Sequence, residues 1–286
     1  MRTLVFGAKG QLGRELLRVF GDAGQTLGLD LPEADIADES SIYPRMKAFG
    51  PDLVINAAAY TDVEAAEDDL NAAFRVNETG ARSVADCAHR FGVPVVYYST
   101  DFVFDGRKNT PYAPQDPAAP ISVYGRSKLA GEKATRGANP KHYILRTAWL
   151  YGPGGNNFVE KMLALAAQRP TLQIVTDEVG SPTHTWDLCQ ATRALAKSGK
   201  YGVYHAANTG AVSRYDFARA IFEIACIDID LQPCLGSAFP AKARRPAHAP
   251  LDSSALTAAC GHVMRPWREA LEHYFQRRAE TNPPQA

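Results

Sequence analysis

The sequence predicts an α/β protein: a doubly wound parallel sheet with a smaller, interleaved C-terminal substrate domain. Three observations carry this. Strand-like and helix-like segments alternate through the first half of the chain. The strand-like runs, such as LVINAAA and VPVVYYS, are continuously apolar, which marks strands covered on both faces. A glycine-spaced turn, GAKGQLG, separates the first of these strands from the first helix.

The elements follow in order. TLVFG (3–7) is an apolar run that ends in glycine. QLGRELLRVF (11–20) places apolar residues at 12, 16, 17 and 20, which is helical spacing. TLGLD (26–30) reads as a second strand, and SIYPRMKAFG (41–50) as a weaker helix interrupted by Pro44. DLVINAAA (52–59) is a buried strand with its exit. NAAFRVNETGARSVADCAHRFG (71–92) reads as one long helix stopped by glycine, and VPVVYYST (93–100) as the next strand. The proline-rich stretch 110–124 is a loop leading into a helix that starts near Tyr124 and continues through SKLAGEKATRG (127–137). HYILRTAWLYG (142–152) is strand-like.

Beyond residue 150 the pattern loosens. FVEKMLALAAQ (158–168) and YDFARAIFEIAC (215–226) are amphipathic helices, and LQIVTD (172–177) is a short strand. WDLCQATRALAK (186–197) and GVYHAAN (202–208) look like further α/β units belonging to the first domain. The expected division is therefore 1–150 plus about 183–208 for a cofactor domain, and about 151–182 plus 209–286 for a substrate domain. The tail AETNPPQA is expected to fray.

Composition excludes several function classes. Lys+Arg and Asp+Glu are both 31, so no net charge draws the chain to nucleic acid or an anionic membrane. No apolar run approaches the roughly 18 residues of a spanning helix, and the N-terminus does not resemble a signal peptide. The 5 cysteines are odd in number and lack C-x-x-C spacing, which suggests reduced thiols in a cytoplasmic protein.

Four stretches carry chemistry. In GAKGQLG, Gly7, Gly10 and Gly13 let backbone approach a pyrophosphate at a helix N-terminus, with Lys9, Gln11 and Leu12 in the same turn. An ordinary strand–helix turn is the bland alternative. Asp30 ends the second strand, where a carboxylate meets the adenosine ribose and repels a 2′-phosphate, although turns also favour aspartate. Asp35 and Ile36 are placed to flank the adenine. In NAAAY, Ala57, Ala58 and Ala59 let the chain pass close to a flat cofactor. Asn77 is polar in a helix otherwise built for burial, and a structural duty suits it at least as well as a functional one.

STDFVF puts Ser99, Thr100 and Asp101 at the carboxyl edge of the sheet, where α/β folds place ligands. In YGRSK, Tyr124 and Lys128 lie four apart on one helix face. A free tyrosine titrates near pH ~10, and a neighbouring ammonium is expected to lower that value. The phenol can then protonate a carbonyl oxygen while hydride reaches its carbon. Y-x-x-x-K is common on its own. It gains weight only behind the glycine turn and the S-T-D strand end.

Together, in this order and spacing, these stretches resemble the extended short-chain dehydrogenase/reductase family, whose catalytic group maps onto Thr100, Tyr124 and Lys128. VINAAAYTDVEAAE, STDFVFDG, YGRSKLAGE, RTAWLYG and GNNFVEKML are similar, within it, to the dTDP-4-dehydrorhamnose reductases, from residue 1 to about 275. The resemblance implies a Rossmann-type sheet, NADPH or NADH as cofactor, and a dTDP-linked 4-keto sugar as substrate. It implies that Thr61 and Val63 lie beside the sugar with Thr100 and Tyr124, and that Trp149 packs on the sugar ring. Asn156 and Asn157 would reach toward the nucleotide, and Arg245 would meet the diphosphate. No catalytic metal is implied. Glu15 matches a glutamate that in some members helps bind Mg2+ at a homodimer contact, though a first-turn glutamate needs no metal to explain it.

Two departures stand out. Asp30 argues for NADH, whereas the reductases it resembles often accept NADPH. Position 102 is Phe where that family often has Tyr. Two other readings share the fold. A sugar-nucleotide epimerase or dehydratase is one, and dehydration is disfavoured because Phe102, not a glutamate, follows Asp101. A cofactor-binding regulatory subunit, like the β subunit of methionine adenosyltransferase, or a reductase of another nucleotide-linked keto sugar stays open.

Overall fold

The computed structural model describes residues 1–281. Strand β1 (Arg2–Phe6) leads into helix α1 (Gln11–Gly21), β2 (Gln25–Leu29), α2 (Glu39–Phe49) and β3 (Leu53–Asn56). Two short helices, α3 (Val63–Asp68) and α4 (Leu70–Phe74), run into a π-helical turn, Arg75–Gly80, and then α5 (Ala81–Arg90). β4 (Val95–Thr100), α6 (Val123–Ala138) and β5 (His142–Thr147) complete the first half. Every pairing in the main sheet is parallel, in the order β2-β1-β3-β4-β5, with Gly202–His205 added beyond β5. The chain steps from β1 outward to β2 and then returns to β3 on the other side. The carboxyl ends of β1 and β3 therefore flank the crevice where this architecture takes ligands.

Strand alternation builds two layers of core. On one face Val5, Ile55, Val96 and Leu145 pack against Leu12 and Leu16 of α1 and Leu188 of helix Thr185–Ser198. On the other, Leu4, Phe6, Val54 and Val95 meet Ile42 and Met46 of α2 and Val84 and Ala88 of α5. Such aliphatic side chains contribute roughly 2 kcal/mol each when fully buried, which is why the strands read as unbroken apolar runs. A separate core holds the C-terminal region. Val159, Met162, Phe217, Ile221, Leu271 and Tyr274 come together from three helices, over the parallel pair Thr171–Val175 and Asp230–Cys234. No helix among the described residues is long and apolar enough to cross a membrane.

Several expectations need correction. Helix α2 runs straight through Pro44. Proline removes one N–H there, but Asp38 caps the start and Gly50 closes the end, so the short helix survives. The long helix expected at 71–92 is divided by the π turn. The strand expected over 142–152 breaks at Trp149, whose φ of 46° lies in the left-handed region. Helix α3 and the final helix Trp267–Thr281 were not foreseen. That helix runs into the tail expected to fray, whose last five residues lie outside the described residues.

Candidate active site

The glycine turn is tight by construction. A Cβ on Gly13 would lie 2.0 Å from the Gly7 carbonyl oxygen, and one on Gly7, at φ +78°, would lie 2.4 Å from the Ala58 nitrogen. The exit of β3 thus passes against the turn with no room for a side chain. No side chain caps α1, so the N–H groups of its first turn stay free to meet phosphate oxygens. Those two features fit a dinucleotide pyrophosphate. Gln11 reaches across to the Leu150 carbonyl at 3.3 Å, whereas Leu12 is buried in the core and offers only backbone.

Asp30 accepts from the Lys9 backbone N–H at 2.8 Å and from Leu31 N–H at 2.8 Å. Two bonds leave a carboxylate with acceptor positions to spare for ribose hydroxyls. The Lys9 ammonium lies at the same strand end, bonded to the Leu31 carbonyl at 2.7 Å and Glu33 at 3.1 Å. Arg75 pairs with Asp35 and holds its carboxyl down against the opposing effect of burial. Ile36 is buried below it.

Thr100 closes β4. Its hydroxyl donates to the Asp101 carboxylate at 2.9 Å and accepts from Phe102 N–H at 3.2 Å. Ser122 caps α6 by accepting from Gly125 N–H, which aims the first turn, carrying Tyr124, at this strand end. Tyr124 meets Phe102 edge-on, with centroids 5.4 Å apart. Burial pushes the Tyr124 phenol well above its ordinary value; the Thr100 hydroxyl opposes this and Asp101 adds to it. Lys128 does not lower it, contrary to expectation. The phenol is fully protonated at neutral pH, which is the form a proton donor needs. Burial pushes Lys128 down to about 7, with Glu132 pulling it back up. Burial likewise raises Asp101 to about 6.

Behind this group stands an ion pair missed in the sequence. Glu132, one turn beyond Lys128, takes a bidentate grip from Arg146 of β5 at 2.8 Å and 2.8 Å and also accepts from Ser99. Its spacing of four from Lys128 was a legible signal. Asn77 has the structural duty weighed for it. It bonds both backbone groups of Tyr60, at 2.9 Å and 3.0 Å, and donates to Ser127 at 2.9 Å.

The expected substrate residues are more scattered. Thr61 is exposed and Val63 opens α3. Trp149 has the Arg214 guanidinium 3.4 Å above its ring, so one face is taken. Gly180 lies so close to the indole that a Cβ would come within 2.5 Å of it. Asn156 is exposed. Asn157 caps helix Phe158–Ala166 through Glu160 N–H and donates to Gly152 at 2.9 Å, so its amide is occupied by the fold. Arg245 is engaged by Glu64 at 2.6 Å. Arg245, Arg214 and Glu178 line a cleft of about 570 Å³ floored by apolar side chains such as Phe158 and Met162.

The Mg2+ expectation finds no support. One carboxylate oxygen of Glu15, Oε1, is paired with Arg18 at 3.0 Å and with Arg277 at 3.1 Å. No cluster of three metal-ligating side chains occurs among the described residues.

A parallel sheet with this glycine turn after β1, with Thr100 ending β4 and Tyr124 and Lys128 on the helix that follows, marks an oxidoreductase of the extended short-chain dehydrogenase/reductase class. Comparison narrows it further. The family model described as RmlD substrate binding domain matches residues 1–280, and the chain belongs to that family. It is 40% identical to the spore coat polysaccharide biosynthesis protein SpsK of Bacillus subtilis, covering 97% of this chain and 98% of that one. It is 38% identical to the dTDP-4-dehydrorhamnose reductase of Aggregatibacter actinomycetemcomitans, over 95% and 97% of the two chains. A crystal structure of dTDP-4-dehydrorhamnose reductase from Bacillus anthracis in complex with NADP superposes with TM-score 0.94 at 36% identity, covering 96% of this chain and 99% of that one.

Proposed function

We propose that this protein reduces the 4-keto group of dTDP-4-dehydro-β-L-rhamnose to give dTDP-L-rhamnose, with NADPH or NADH as the reductant. The observation that carries this reading is that Thr100 ends β4, and Tyr124 and Lys128 lie one turn apart at the start of α6, on the sheet edge that also carries the uncapped glycine turn. The names of the relatives support the substrate.

The free N–H groups of the α1 first turn and the Asp30 carboxylate would hold a reduced nicotinamide dinucleotide, which when bound would supply the hydride for the keto carbon. The residues do the rest. Tyr124, protonated at neutral pH, passes its proton to the oxygen as negative charge develops there. Thr100, fixed by Asp101 and Phe102, orients that oxygen. Lys128, one turn beyond Tyr124 on α6, is placed to hold the nicotinamide ribose. Phe102 brings no hydroxyl to this group, so Tyr124 is its proton donor. The C-terminal core and its cleft supply the nucleotide half, which supports the two-domain division. All five cysteines are free, as a reducing cytoplasm keeps them.

At the ribose, Asp30 favours NADH, while Lys9 places a cation next to it that tolerates a 2′-phosphate. Absorbance of the reduced nicotinamide tests both points. The 4-keto sugar nucleotide is made in situ from dTDP-glucose and mixed with NADPH or NADH. Oxidation by wild type establishes the reductase. Tight cofactor binding without oxidation would replace it with the regulatory-subunit reading.

A further inference from the structure

The cleft lined by Arg214 carries more positive charge than it neutralises. Lys161, Arg169, Arg214 and Arg245 line it, against the single carboxylate of Glu178. Arg245 is already bonded to Glu64 and to the Ala243 carbonyl. Arg214 is not so engaged. It opens helix Arg214–Ala225, and its guanidinium makes one long ion pair, Nε to Glu178 at 3.5 Å. Its two Nη groups have no acceptor among the described residues, although the side chain is only 18% exposed. One guanidinium face rests on Trp149, 3.4 Å from the ring centroid, and Phe158 stands 5.0 Å away. Arg214 also feels the charges of Asp101, beside Thr100, and of Arg245. It therefore sits between the reacting edge of the sheet and the apolar end of the cleft. A planar fork with unused donors, held flat by stacking, matches phosphate oxygens.

We propose that Arg214 is the residue that grips the sugar-side phosphate of the nucleotide and so sets how far the sugar reaches toward Tyr124. This rests on the sugar-nucleotide reading above. It reassigns the face of Trp149: the ring backs the guanidinium, and the guanidinium meets the glycosyl diphosphate. Arg245, tied to Glu64 of α3, closes the side of the cleft.

Calorimetric titration with dTDP, dTMP and NADPH tests this on wild type, Arg214→Gln and Arg214→Lys. Arg214→Gln should weaken dTDP by at least about tenfold, the scale of one charge-assisted bond, with a smaller loss for dTMP and none for NADPH. Arg214→Lys should recover part of the loss, because it keeps charge without the stacked fork. In turnover, KM for the keto substrate should rise more than kcat falls. Equal dTDP affinity in wild type and Arg214→Gln overturns the inference, as does an equal loss of dTDP, dTMP and NADPH. Wild type without affinity for dTDP overturns the sugar-nucleotide reading together with it.

Discussion

The Lys128 ammonium lies 4.2 Å from the centroid of the Tyr97 ring, over its face. The pair explains how a nearly buried lysine persists beside a site built for a cofactor. A ring face attracts a cation where few water molecules reach it. Tyr97 in turn donates to the Asn77 carbonyl at 3.1 Å, which fixes the ring under the lysine.

That burial has a signature in pH. Lys128 titrates near 7 in the folded protein and near 10.5 when unfolded. Between those values the unfolded chain binds the extra proton, so stability rises with pH. The melting temperature of the cofactor-free protein should climb from pH 7 toward pH 9. Lys128→Met should flatten that part of the curve, and an unchanged slope in the variant would refute the assignment.

Asp101 predicts the opposite trend at lower pH. Its carboxyl titrates near 6 in the fold, against 3.8 when unfolded, so stability falls as pH rises between them. Above pH 6 the buried charge costs up to about 3 kcal/mol. Asp101→Asn should therefore melt above wild type at pH 7.5. The gap should shrink by pH 5, and a gap that grows on acidification would contradict the sign.

Removing the phenol separates chemistry from binding. Tyr124→Phe keeps the ring against Phe102 but has no proton to give. Turnover should fall by about 10² to 10⁴, the usual range for a general acid, while NADPH affinity holds. Stopped-flow oxidation alongside fluorescence titration reads both quantities. A modest loss would mean that solvent supplies the proton.

The Glu132–Arg146 pair is a stability element. Glu132→Gln leaves the Arg146 guanidinium buried without its counter-charge. The expected cost is about 3 to 5 kcal/mol, readable as a lowered urea midpoint at constant m-value. An unchanged midpoint would show that the backbone carbonyl of Pro114, 3.1 Å from Arg146, is enough to satisfy it.

Much of this architecture was legible because its cause is local. Unbroken apolar strands, the glycine turn and the four-residue spacing of Tyr124 and Lys128 each state a geometry in a few consecutive residues. Helix α3 was missed although Asp62, bonding Ala65 N–H at 2.9 Å, is a readable cap. Other features had no such signature. That Arg214 lies on Trp149, or Arg277 on Glu15, depends on segments 65 and 262 residues apart meeting in space. The resemblance pointed to Asn157 as a nucleotide contact, and only the fold shows its amide filled by a helix cap.

The π turn at Arg75–Gly80 inserts one residue more than an α-helix would spend on the same rise. Its effect is to rotate Asn77 until it spans Tyr60 and Ser127. Chain length is thus part of the site. Deleting a single residue from this turn would heal the helix, leave every named side chain in the sequence, and swing position 77 by about 100° away from both partners. In this stretch a gap is more damaging than most substitutions.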